Sequence, residues 1–251
     1  MSANTKIAWT ESTWNPVTGC TKVSAGCKHC YAERQIPRLM KSQPHLYGNG
    51  FEPTCHESRL EIPKRWRKPR KVFVCSMSDL FNEAVSGDFL KQVFDVMRDC
   101  PQHTFQVLTK RAERLAEFSQ TEKWPDNVWA GVSIERNDLT QRADSLRAAN
   151  VPVRFISAEP LLGPLPSLEL TGIDQVIVGG ESGPSWRSME AIWVRDLRDR
   201  CVNDDVAFFF KQWAGLHPSK LGHELDGREW RQEPMAATAL GHGSEADGGD
   251  E

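Results

Sequence analysis

Six short apolar runs recur along the chain at intervals that fit one strand plus one helix each. They are Val72–Val74, Thr104–Leu108, Val128–Val132, Val153–Ile156, Gln175–Val178 and Val206–Phe210, and their starts lie roughly 22 to 32 residues apart. Runs of β-branched and aromatic residues without polar alternation suit strands buried on both faces. The segments between them are amphipathic. Phe89, Val93, Val96 and Met97 share one helical face. Leu139, Ala143, Leu146 and Arg147 share a second, and Ile192, Leu197 and Cys201 a third. Strand and helix alternate with no sequence repeat, which predicts an α/β fold with a parallel sheet, either an open wound sheet or a barrel.

The residues just after each run are as regular as the runs themselves. Val74 leads into Cys75-Ser76-Met77-Ser78-Asp79, Leu108 into Thr109-Lys110-Arg111, and Val132 into Ser133-Ile134-Glu135. Ile156 leads into Ser157-Ala158-Glu159-Pro160, Val178 into Gly179-Gly180-Glu181-Ser182, and Phe210 into Lys211-Gln212-Trp213. In a parallel sheet or barrel all these ends lie on one face, and that face carries the site. One polar strand end is ordinary, whereas six in succession predict a shared site. Glu135, Glu159, Glu181, Lys211 and Gln212 are expected to line the far side of its mouth, where a substrate sits. A capping or salt-bridge role is the alternative for each.

The 251 residues amount to one large domain or two small ones. We expect one α/β domain over residues 1–235, followed by a disordered acidic tail, 236–251, rich in Ala and Gly. No window approaches the ~18 apolar residues of a membrane helix. Met1 to Glu11 lacks the apolar core of a signal peptide, so the expected location is cytoplasmic, with no membrane partner. Seven cysteines are an odd number, too few for a disulfide scaffold of this length. A net charge of −3 excludes a uniformly basic nucleic-acid coat but not a local patch. Such a patch exists: Lys64, Arg65, Arg67, Lys68, Arg70 and Lys71 place six cations in eight residues around Trp66. Cations release counterions from a phosphate backbone, so these six are candidate nucleic-acid contacts. A solvated loop before a strand is the alternative.

The sharpest local motif runs from Gly19 to Tyr31, with Cys20, Cys27 and Cys30 spaced C-x6-C-x2-C. Three thiolates on one glycine-bearing loop can converge on a soft metal centre. A structural zinc site wants four protein ligands, and His29, His56 or Cys55 could supply the fourth. Three cysteines on an iron–sulfur cube instead leave one iron open for a small molecule. Cys75, Cys100 and Cys201 read most simply as small core hydrophobes.

With a chain of βα units behind them, Cys20, Cys27 and Cys30 resemble the motif of the radical S-adenosylmethionine (SAM) superfamily, although the usual first gap is three residues. Cys27-Lys28-His29-Cys30-Tyr31-Ala32 is similar to the C-x-x-C-Y-A ending of the branch related to spore photoproduct lyase. Ser76 to Phe81, Leu108-Thr109-Lys110, Gly131 to Ile134 and Arg142 to Leu162 resemble that branch's later motifs in the same order. The likeness covers roughly residues 7 to 215. The chain also resembles a bacteriophage-associated family of three-cysteine proteins without an assigned reaction.

The resemblance implies a partial (β/α)6-type TIM-like barrel, the radical SAM core, with six or seven parallel strands. It implies a 4Fe–4S cluster on the three thiolates and S-adenosyl-L-methionine on the open iron. One electron, from a donor such as a flavodoxin or ferredoxin, then yields a 5′-deoxyadenosyl radical that abstracts hydrogen from a substrate. By motif match, Ser76, Lys110 and Ser133 become candidates for the SAM carboxylate and ribose, Asp79 for its amino group, and His29 and Tyr31 for shielding the cluster or stacking near adenine. Gly179-Gly180-Glu181 copies the superfamily's amine-binding letters on a later strand, and the role is not carried over. The chain is thus compatible with three functions: an enzyme modifying or repairing a nucleic-acid base or nucleotide; one acting on a peptide or small metabolite; or a zinc- or cluster-stabilised binding module without catalysis.

Overall fold

The computed structural model describes residues 5–234, and the expected tail from Ala236 onward lies outside the described residues. Seven strands form one parallel sheet: β1 (Ser12–Trp14), β2 (Lys71–Val74), β3 (Thr104–Thr109), β4 (Val128–Ser133), β5 (Arg154–Ala158), β6 (Gln175–Gly179) and β7 (Ala207–Gln212). Their spatial order is their chain order. A doubly wound sheet would reverse order partway along. The sequential order is that of a barrel wall, here a curled half-barrel that matches the expected partial TIM-like architecture.

Five longer helices accompany the strands: α1 (Tyr31–Ser42), α2 (Gly87–Arg98), α3 (Ala112–Thr121), α4 (Gln141–Ala148) and α5 (Ala191–Asn203). Ser86 caps α2 by accepting from the Phe89 N–H at 3.2 Å. Alternate strand residues point to opposite faces. Val72, Val107, Val132, Val176 and Phe208 face outward into one core with Val93, Leu115, Leu146 and Leu197 of the helices. Phe81, Phe94, Phe118 and Trp124 form its aromatic centre, with the Phe94 ring 4.7 Å from both Phe118 and Trp124.

The inward-facing residues form a separate cluster of Phe73, Trp129, Val153, Phe155, Ile177 and Phe209, closed by Trp9 from the segment before β1. Trp9 lies 4.6 Å from the Phe73 ring, so the cup has an aromatic floor near the N-terminal strand ends. At the open edge of β7, the terminal segment accepts from the Phe210 N–H through Trp230 O and returns the Gln232 N–H to Phe208 O. That covers an edge which would otherwise be free to pair with another chain.

The strands match the six apolar runs to within a residue or two at either end. β1 is the addition, three residues too short and too polar to stand out as a run. Residues 159–174, between β5 and β6, form no helix and instead bury Leu161, Leu165, Leu168 and Leu170. On α5, Ile192 points outward and Val194 takes its place in the core, because the inward face runs through Val194, Leu197 and Cys201. Cys75, Cys100 and Cys201 are buried. Among the described residues no helix is long and apolar enough to cross a membrane.

Candidate functional site

The cysteine loop leaves β1 at the C-terminal side of the sheet. A two-residue ribbon, Val17–Thr18 against Thr54–Cys55, lifts the chain away from the sheet. Gly19 then turns with φ +76°, and a Cβ there would stand 2.2 Å from the Glu52 carbonyl oxygen, so only glycine fits. Cys27 closes a 3₁₀ turn, Ala25–Cys27, and Cys30 is the residue before α1. All three motif cysteines are free thiols, partly exposed.

Strand-end side chains hold this loop at three points. The first is Glu135, fully buried just past β4. Its carboxylate accepts from Ser24 Oγ at 2.5 Å and Arg142 at 2.9 Å, and faces Lys110 Nζ at 3.6 Å. Gly26 lies directly over it: a Cβ there would stand 2.2 Å from Glu135 Oε1. The second is Glu181, past β6, which accepts from the Arg187 N–H and Nε at 2.9 Å each, from Arg187 NH2 at 2.6 Å, and pairs with His29 Nδ1 at 3.3 Å. Arg187 also donates to the Ala25 carbonyl at 3.0 Å. Burial works against the Glu181 carboxylate, but the Arg187 and His29 hydrogen bonds hold its carboxyl below the usual range. The third is Arg111, past β3, which donates to Thr21 Oγ1 at 2.5 Å while its other nitrogens bind Asp79 Oδ2 at 3.0 Å and Glu83 at 2.9 Å. Removing one partner of a buried pair costs roughly 3–5 kcal/mol, so such contacts fix geometry firmly.

These contacts place the expected residues. Glu135 and Glu181 turn to the cysteine loop and not to the far side of the mouth, because Ser24, Gly26 and His29 lie directly over them. Glu159 and Lys211 form an ion pair between the ends of β5 and β7, each side chain about one fifth exposed (21% and 16%). Gln212 donates back to the Gly180 carbonyl at 3.2 Å, joining two strand ends. Asp79 accepts from Thr109 Oγ1 at 2.7 Å and from the Lys110 and Phe81 N–H groups at 3.0 Å, besides Arg111, so both its oxygens are engaged. Ser76 Oγ donates to Asn15 Oδ1 at 3.2 Å, and the Ser76 carbonyl accepts the Tyr31 hydroxyl. Ser133 is buried beneath Glu135, its carbonyl bonded to Arg142 at 2.7 Å.

The basic run lies at the opposite end of the sheet, where it enters β2. Lys64 pairs with Asp99 at 3.0 Å and Glu61 at 3.3 Å. Arg70 donates to Ser12 Oγ at 3.1 Å and lies over Trp66, and Lys71 pairs with Glu233 at 2.7 Å. Arg65, Arg67 and Lys68 are exposed.

Ser24, Asn82, Arg111 and Arg187 also belong to the site, although the sequence singles out none of them as a candidate. Arg111 is visible in Thr109-Lys110-Arg111 and Ser24 within the motif loop. Nothing local marks Asn82 or Arg187.

The donor set is the test of which group the loop could hold. Among the described residues no three His, Cys, Asp or Glu side chains gather closely enough to grip a single metal ion. The suggested fourth zinc ligands are engaged elsewhere or exposed: His56 Nε2 bonds Thr18 Oγ1 at 2.8 Å, His29 faces Glu181, and Cys55 is exposed. Three partly exposed thiols on one loop, with the cations Arg111 and Lys22 beside it, suit an anionic iron–sulfur cluster whose thiolates bind separate irons. Burial pushes the Cys20 thiol up, and Asp79 adds to that against the pull of Arg111.

No curated protein matches the chain. A solved structure of "Spore photoproduct lyase complexed with dinucleoside spore photoproduct" is similar at 11% identity and a TM-score of 0.40, over 66% of this chain and 54% of that one. The chain thus spans about half the length of that protein. The family described as "Protein of unknown function (DUF5131)" matches residues 4–234, nearly the whole chain, and the protein belongs to that family.

Proposed function

We propose that the protein is an iron–sulfur enzyme of the radical SAM type that modifies or repairs a nucleic-acid base or nucleotide. The observation that carries this reading is the placement of Cys20, Cys27 and Cys30. They are three partly exposed thiols on one loop, clamped over the C-terminal ends of a parallel half-barrel, where such folds keep their sites. The three thiolates would hold a 4Fe–4S cluster with one iron left for S-adenosylmethionine. When bound, the group supplies one-electron cleavage of the sulfonium and a radical able to take hydrogen from a substrate.

The chain's own residues bind, orient and shield. Lys110, whose side chain is one fifth exposed and faces Glu135, would meet the SAM carboxylate, and Ser76 and Ser133 are the candidate hydroxyls for the carboxylate or ribose, although Ser133 is buried and the Ser76 hydroxyl bonds Asn15. Asp79 would meet the SAM amino group only by exchanging one of its present donors, Arg111 foremost. His29 and Tyr31 stand beside Cys30 in the chain, and a bound cluster would find their rings positioned to shield it or stack near adenine. The Glu159–Lys211 pair is the candidate substrate contact, offering an acceptor and a cationic donor side by side. A low-potential donor such as a flavodoxin or ferredoxin would supply the electron.

Nucleic acid as substrate is supported by the exposed Arg65, Arg67 and Lys68. At the floor end of the sheet they would hold the backbone of a long polymer and would not read a base. The same position favours the second reading, a peptide or small metabolite that enters the mouth alone.

Anaerobic reconstitution tests the core of this proposal. The wild type should take up iron and sulfide and release 5′-deoxyadenosine under dithionite, and Cys27→Ala should take up neither. Full cluster content in Cys27→Ala, or a loaded wild type that never releases 5′-deoxyadenosine, overturns the reading. Changing Arg65, Arg67 and Lys68 to Ala should flatten the salt slope of DNA or RNA binding by up to about 0.9 per lost phosphate contact. A wild type with no salt-dependent binding transfers the substrate to the peptide or metabolite class.

A further inference from the structure

We infer that Arg111, with Asn82, sets the reduction potential of the metal centre by hydrogen bonding to Cys20 and to neither other motif cysteine. The inference rests on the reading of Cys20, Cys27 and Cys30 as cluster ligands. Arg111 NH1 lies 3.8 Å from Cys20 Sγ and Asn82 Nδ2 lies 3.9 Å from it. Both donors are fixed. The Arg111 side chain is only 6% exposed, tied through Nε to both oxygens of Glu83 at 2.9 Å and through NH1 to Asp79 at 3.0 Å. Asn82 is 1% exposed and reaches Thr21 Oγ1 at 3.0 Å.

Cys27 differs. Its neighbour is Ser24 Oγ at 3.8 Å, but that hydroxyl gives its one proton to Glu135 and has none left for a thiolate. Among the described residues no cationic side chain hydrogen-bonds to Cys27 or Cys30. The centre is therefore asymmetric, with a charged donor on one sulfur. Hydrogen bonds to cluster sulfurs and nearby positive charge favour the reduced, more negative state and raise the potential. Removing Arg111 does more than delete a donor, since it leaves Asp79 and Glu83 beside Cys20 without their counter-ion. Both effects push the potential down.

The experiment is a redox titration of the reconstituted full chain, followed by the cluster's own absorbance and electron paramagnetic resonance, with no SAM present. Arg111→Gln should lower the reduction equilibrium constant about tenfold, or about 59 mV for a one-electron couple. Arg111→Lys, which keeps the charge, should recover most of that, and Asn82→Ser should shift in the same direction by less. A role confined to packing would move the melting temperature and leave the potential where it was. Potentials in Arg111→Gln and Asn82→Ser equal to the wild type overturn the inference. If Arg111→Gln takes up no cluster, Arg111→Lys and Asn82→Ser carry the test, and an unshifted Asn82→Ser overturns it. A wild type that takes up no iron instead overturns the functional reading itself.

Discussion

At the N-terminal ends of the strands, Trp9, Phe73, Trp129 and Phe155 close the inner face with rings. At the C-terminal ends the same strands lead into Lys110, Glu135, Glu159, Glu181 and Lys211, and nearly every charge there has a partner. The two ends solve opposite problems. An apolar plug is non-directional, and its contribution scales with the area it removes from water. A ring of buried charges contributes little net stability, since desolvation offsets the attraction, but it tolerates only one arrangement. The floor therefore carries stability, and the mouth carries the geometry of the cysteine loop.

Phe155→Ala should have the largest effect on folding, a loss of about 3–5 kcal/mol in denaturant unfolding. Phe155 is fully buried, and its ring lies against Gly131 with no small group positioned to refill the space. At temperatures where the variant is folded, cluster uptake should equal the wild type. Lost uptake in a folded Phe155→Ala would mean that the two ends are not separable.

Glu135→Gln should show the reverse balance. It keeps the shape but loses the charge that meets Arg142 and Lys110, a cost of roughly 1.5–3 kcal/mol by the scale of charged hydrogen bonds. Iron retention against a chelator should fall further, by about tenfold to a hundredfold, as when a supporting partner of a metal ligand is removed. Equal retention in Glu135→Gln and wild type would show that the loop holds its form without this clamp.

The smallest effect is expected at the surface clasp of Arg195 and Arg198 of α5 with Asp226. Hydrogen bonds from Arg195 and Arg198 pull the Asp226 carboxyl down from 3.8 to about 2. A depressed carboxyl contributes stability that is complete above its unfolded value, 3.8, and is lost as pH falls through about 2. Asp226→Asn should leave melting at neutral pH nearly unchanged and alter only the acid limb of the pH–stability curve. A clear drop at pH 7 would mark the clasp as more than a surface contact.

The divide between features legible in the sequence and features that are not lies along sequence separation. The six longer strands announce themselves because a strand buried on both faces is a local apolar run, and the cysteine motif because its members fall within eleven residues. β1 does not, since Ser12-Thr13-Trp14 has one large apolar residue and gains its partner from β2. The positions of Glu135 and Glu181 at strand ends are readable, but their partners are not. Ser24 lies 111 residues from Glu135, and His29 lies 152 residues from Glu181. Arg111 stands in plain view beside Lys110, yet its contact with Cys20 exists only once β1 and β3 are two strands apart in the sheet.

Those separations also order events in time. A chain leaves the ribosome from its N-terminus, and a sheet whose strands pair in chain order can assemble as it emerges. The cysteine loop comes out early, but β1 must wait for Lys71 to Val74 before it has a neighbour. Its clamps arrive later still: Arg111, then Glu135, and last Glu181 with Arg187. Until Arg187 emerges, the loop is held by Arg111 and Glu135 but lacks its third clamp. If these thiols hold the proposed cluster, its site is complete only after Arg187 has reached the loop, so the last clamp to arrive sets when the centre can be enclosed.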